Sequence, residues 1–137
     1  MAQQNRRLNI AAILQTALNT ALILLALTLC ILLAKELVYF MASALLYQGI
    51  DHHYELLERI LIFFLYFEFI VMIVKYFQEG YHFPLRYFLY IGMTAMLRLI
   101  IVDHDSPVDT LLYACAILVL IVSFFVINSV TARRHKL

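Results

Sequence analysis

Glycine and proline are scarce in this sequence, with 3 Gly and 2 Pro among 137 residues. The loops that cradle phosphates in nucleotide-binding enzymes need several glycines at fixed offsets, and no such pattern occurs. Cysteine is as sparse: Cys30 and Cys115 both lie inside apolar runs. Neither a disulfide framework nor a cysteine metal site is expected, and both read as small buried hydrophobes. No serine or cysteine nucleophile motif and no zinc-protease signature is present, so no enzyme and no cofactor is expected. Charge is also low, at 14% against about 25% in ordinary soluble domains. With 65% hydrophobic residues and a mean hydropathy of +0.91, the chain is neither disordered nor a water-soluble monomer. A net charge of +1 gives no electrostatic footprint for nucleic acid. The length allows one domain, or a bundle of four membrane spans, and no second module.

What the sequence has is long apolar runs. Leu8 to Ala34 carries no charge over 27 residues, and about 20 apolar residues cross a bilayer core as a helix. Arg6 and Arg7 precede it as a signal peptide's basic region would. The run is nonetheless too long for a secretory signal, and an uncleaved anchor is expected. Thr110 to Ala132 is a second uncharged run, of 23 residues, closed by Arg133, Arg134 and Lys136. Its start is marked by Ser106 as cap, Pro107 at the first helical position and Asp109 in the first turn. Between these runs, Gly80 is placed to end one helix and Pro84 to open the next, which gives a tight hairpin. The expected fold is an all-α integral membrane bundle of four helices, up-down-up-down, in a single domain. Its spans are 9–34, 54–77, 83–102 and 108–130. Residues 36–48 are expected either to bend into the interface or to project as a helical extension, since one helix through 48 would overshoot a core about 30 Å thick.

Basic residues decide the orientation. Arg6, Arg7, Lys75, Arg86, Arg133, Arg134 and Lys136 fall on one side, against Lys35 and Arg59 on the other. The positive-inside rule then places both termini and the 78–84 turn in the cytoplasm, with Lys75, His82 and Arg86 at the cytoplasmic interface. The opposite side collects Glu36, Asp51, Glu55, Glu58, Asp103, Asp105 and Asp109, whereas the cytoplasmic side has Glu79 alone.

Two charges lie within the spans. Glu68 stands near the middle of the second and Arg98 about a turn from the outer end of the third. A charge facing lipid costs roughly 2.5 to 3.5 kcal/mol even on lenient insertion scales, so both should face protein, a partner or water. At helical spacing Glu58, Leu61, Leu65, Glu68, Met72 and Lys75 share one face, and Tyr87, Ile91, Thr94, Arg98 and Ile101 share another. Counting from the turn sets Glu68 and Arg98 about 9 Å apart in depth and Arg98 level with Glu58, so a loose network of Glu58, Glu68 and Arg98 is expected. Gln15 with Asn19, and Ser123 with Asn128, are expected to hydrogen-bond between helices. His52 and His53 beside Asp51 and Glu55, with His104 between Asp103 and Asp105, have the residue types of a divalent-metal site. Their spacing is not diagnostic, and a solvated acidic rim is the default, with no metal expected.

The run FFLYFEFIVMIVKYFQEGYHFPLRYFLYIGMTAMLRLIIVDHDSPVD, Phe63 to Asp109, resembles the central signature of the phosphate-starvation-inducible E (PsiE) family of small bacterial inner-membrane proteins. ILQTALNTALILLALTLCILLAKELV, near the start, resembles that family's first span. The combination of YFEFI, KYF, HFPLRY and RLIIVDH carries the resemblance. It implies a multi-pass inner-membrane protein linked to the response to phosphate limitation, and it supplies no catalytic residues. The expected function is a structural or regulatory membrane component, with the lipid bilayer and a second copy or another membrane protein as partners. The alternative is an oligomeric channel or transporter subunit with Glu68 and Arg98 on an ion, proton or phosphate pathway.

Overall fold

The computed structural model describes residues 1–46 and 53–136. It contains four α-helices, α1 Ala2–Leu46, α2 His53–Gln78, α3 Leu85–Val102 and α4 Pro107–Lys136, and no strand among the described residues. All four are long and apolar enough to cross a membrane, and the protein is an all-α, multi-pass membrane protein. Apolar residues surround α1, α2 and α4 almost evenly, while those of α3 are more one-sided. A helix apolar all round has to be immersed in protein or in lipid. Within this chain it is not protein: among the described residues Leu29, Ile73, Leu89 and Pro84 are the buried apolar side chains, whereas Leu111 and Phe125 remain 65% and 71% exposed. Cys30 and Cys115 are exposed as well, not buried. The sequence reading took burial from apolar neighbours, but in a bilayer apolar neighbours mark surface as readily as core.

The chain divides into two compact units, Met1–Gln48 and Gly49–Leu137. The first is α1. Its 45 residues make a rod of about 68 Å at about 1.5 Å per residue, more than twice the hydrocarbon thickness. Residues 36–46 simply continue it, and 47 and 48 lie outside the described residues. Several of its polar side chains bond within the helix. Thr16, Thr20 and Thr28 each donate to the carbonyl four residues back, at 2.8 to 2.9 Å, and Gln15 Nε2 donates to Asn19 Oδ1 at 2.9 Å. A hydroxyl bonded back to its own helix can stand in hydrocarbon without an unsatisfied donor.

In the second unit α3 packs against both α2 and α4, while among the described residues the α2 and α4 backbones nowhere come within 8 Å of each other. The link from α2 to α3 is short and strained in one place. Gly80 at φ 69° and Tyr81 at φ 66° are both left-handed, and Tyr81 N–H returns to the Tyr76 carbonyl at 3.1 Å, closing α2. Left-handed backbone is cheap for Gly80 and costly for a tyrosine. The Tyr81 ring compensates by meeting Tyr76 and Phe77 edge-on, at 6.0 and 5.9 Å between centroids. Pro84 caps α3 and is not its first helical residue; its carbonyl accepts from Phe88 N–H at 3.1 Å. The link from α3 to α4 is shorter still. Ser106 Oγ accepts from Asp109 N–H at 3.5 Å, and Pro107 opens α4, whose last turn carries Arg133, Arg134 and Lys136 against the negative end of its dipole.

α3 and α4 lie close together at Gly92, where a Cβ would come 3.4 Å from Leu120 Cδ1, and near it the Tyr90 and Phe124 rings lie 5.1 Å apart. Small residues allow such approach where no hydrophobic effect drives helices together. Gly92→Leu is therefore expected to lower stability by about 1 to 3 kcal/mol through overpacking, read as a drop in thermal midpoint in detergent. Gly92→Ala should be near neutral, because the Leu120 tip can yield and alanine favours the helix.

Candidate functional site

The two charges within the spans meet. Arg98 Nη2 donates to Glu68 Oε2 at 2.8 Å, an ion pair whose side chains are 14% and 21% exposed. The depth count separated them because it stopped at the backbone. Side chains on a helix lean toward its N-terminus, and α2 and α3 run antiparallel, so Glu68 leans away from the turn while Arg98 leans toward it. The two side chains therefore close the gap between their Cα levels. Glu58, placed in the same network from the sequence, is exposed and forms no ion pair among the described residues. The carboxylate that pairs in its neighbourhood is Glu55, 3.6 Å from Arg59 one turn along.

The faces read from helical spacing do converge. Glu68 and Met72 of α2 line one cleft together with Tyr87, Ile91 and Thr94 of α3. Nearer the turn, Lys75 Nζ sits 5.2 Å from the centroid of the Tyr87 ring, a cation–π contact. Helical spacing places both residues on those faces, but spacing alone does not bring them together. The signal for the contact is that Lys75 and Tyr87 lie at nearly equal distances from the middle of the turn. His82 is in the turn and Arg86 in the first turn of α3, both exposed.

At the other end of α3, Asp103 caps the helix and accepts from Tyr113 Oη at 3.3 Å, a bond that ties the link to α4 and that no sequence pattern announced. His104 is exposed, with Nδ1 3.3 Å from the Ile101 carbonyl. His53 begins α2 and is exposed, and His52 and Asp51 lie outside the described residues. Among the described residues no three His, Cys, Asp or Glu side chains gather as a metal would require.

Chemically, the site is a neutralised pair of opposite charges held within apolar surroundings. Removing one partner leaves the other unpaired, at about 2 to 4 kcal/mol, whereas removing both leaves no charge to solvate. Arg98→Gln and Glu68→Gln are each expected to destabilise the protein by that order, and the double variant Glu68→Gln/Arg98→Gln by much less than their sum. Thermal or denaturant unfolding in nanodiscs, combined in a double-mutant cycle, measures the coupling. Additive losses would show that the pair contributes nothing as a pair.

A family model described as the phosphate-starvation-inducible E family matches residues 16–132. The chain is also 59% identical over 117 residues to the "Protein PsiE homolog" of Bacillus cereus, an alignment covering 85% of this chain and 83% of that protein. No solved structure matches. With the family match spanning nearly all of α1 to α4 and a bacterial relative aligned over most of both lengths, the chain belongs to the phosphate-starvation-inducible E (PsiE) family.

Proposed function

We propose that the protein serves the response to phosphate limitation as a structural or regulatory component of the bacterial inner membrane. It would work by assembling with a second copy or with another membrane protein, and carry out no catalysis of its own. The observation that carries this reading is the closed Glu68–Arg98 pair. A group that loads and releases an ion has to exchange partners during its cycle. A carboxylate and a guanidinium bonded to each other at 2.8 Å are suited instead to fixing the register of two helices. The exposed apolar flank of α4, from Leu111 through Phe125, adds surface on which another membrane helix can pack. Both termini and the 79–84 turn face the cytoplasm in this reading, because seven of the ten basic residues lie at that side.

A photo-crosslinking residue at Phe125, in native membranes under phosphate limitation, is expected to give one defined adduct that is absent when phosphate is abundant, either a dimer or a complex with a single membrane protein. Purified protein in liposomes is expected to pass neither ions nor phosphate. Flux that falls on Glu68→Gln or Arg98→Gln would overturn the assembly reading in favour of a conducting subunit. The orientation has its own check. An alkaline phosphatase fused after Asp105 should be active, whereas one fused after Lys136 should be inactive; the reverse pattern would invert the topology.

A further inference from the structure

The cleft between α2 and α3 has a volume of about 170 Å³, with walls formed by Phe67, Val71 and Met72 on one side and Tyr90, Ile91 and Thr94 on the other. It is almost wholly apolar. The Thr94 hydroxyl is spent on the Ile91 carbonyl at 3.0 Å, and the Glu68 carboxylate at the upper end is spent on Arg98. At the end nearest the turn the chemistry changes. Phe67, Val71 and Lys75 recur every four residues on α2, as do Arg86, Tyr90 and Thr94 on α3. That spacing makes one continuous stripe on each helix. Followed one turn beyond the residues that line the cleft, each stripe reaches a base, and because the helices run antiparallel both bases stand at the level of the same end.

Lys75 is held beside the mouth by its contact with Tyr87. Arg86 is exposed, and among the described residues its side chain has no ion pair or hydrogen bond. Glu79 is the one acid between Ile70 and Leu97, so the mouth is net cationic. An apolar slot with positive charge at a single end matches a molecule with one apolar chain and one anionic head. We propose that the α2–α3 hairpin seats an anionic phospholipid, the upper segment of one acyl chain in the cleft and the phosphate between Lys75 and Arg86. A zwitterionic phospholipid offers the chain without the net charge. Inorganic phosphate offers the charge without the chain. The slot is too small for a whole lipid or for a whole chain, so the rest of that chain and all of the second stay in the bilayer.

Native mass spectrometry of the full chain, titrated with phosphatidylglycerol, phosphatidylcholine of the same chain length, or inorganic phosphate, tests this. Phosphatidylglycerol should be retained about thirtyfold better than phosphatidylcholine, the size expected of two bases near one head group. Inorganic phosphate alone should not be retained. Lys75→Gln/Arg86→Gln should abolish the preference while Arg133→Gln/Arg134→Gln, at the other basic cluster, leaves it intact. Val71→Trp, which fills the cleft, should reduce retention of both lipids; should that variant fail to fold, the two charge variants decide alone. The proposal is overturned if both lipids are retained alike, if the preference follows Arg133 and Arg134, if phosphate alone binds and displaces phosphatidylglycerol, or if a lipid-free dimer occupies the cleft.

Discussion

A full charge in hydrocarbon has to find its opposite. Here that requirement joins α2 to α3 at Glu68 and Arg98. Once the bond at 2.8 Å is made, the two helices have no freedom to slide, because a shift by one turn would strand both charges about 5 Å from their partners. The turn has to suit that register. Two consecutive left-handed residues, one of them a tyrosine, bring the chain around within six positions, and the Lys75 and Tyr87 contact nearer the turn lies in the same register. The cleft is the space left between two helices pinned at both ends and packed by side chains of unequal size between the pins.

The pairing of α3 with α4 rests on different physics. No ion pair crosses that interface among the described residues; it is made by the missing side chain of Gly92 against Leu120, by the Tyr90 and Phe124 rings, and by the hydrogen bond from Tyr113 to the Asp103 carboxylate at its end. Dispersion and close approach act there without the help of water. One helix therefore carries two modes of association on its two sides, electrostatic toward α2 and steric toward α4. That accounts for its more one-sided distribution of apolar residues compared with its neighbours.

Much of this could be read from the residues. Uncharged runs located the helices because length and charge alone decide whether a segment can span a bilayer. Gly80, Ser106 and Pro107 signalled local backbone requirements that no distant residue alters. Helical spacing gathered Glu68, Met72, Tyr87, Ile91 and Thr94 correctly, since they share one cleft. The expected network of Glu58, Glu68 and Arg98 holds at Glu68 and Arg98 and not at Glu58: periodicity places a residue on a face but is silent on the lean of its side chain, and that lean brings Glu68 to Arg98. Gly92 was invisible for a related reason. A glycine inside an apolar run shows its purpose only once the neighbour that fills its space, Leu120, is known. The exposure of Cys30 and Cys115 was misjudged because the pattern that means core in water means surface in lipid.

The brevity of α3 has a consequence for the membrane itself. Its 18 residues span about 27 Å, a little less than the hydrocarbon thickness of an average bilayer, and ionisable side chains stand at both ends, Arg86 at the first turn and Asp103 at the cap. The mismatch is relieved when the leaflets pinch inward around the hairpin or when Arg86 stretches its head group back toward the interface. Either way the distortion is local to α3, since α2 and α4, of 26 and 30 residues, are long enough to cross the core, and the lipids beside α3 are set by bilayer elasticity as well as by contact.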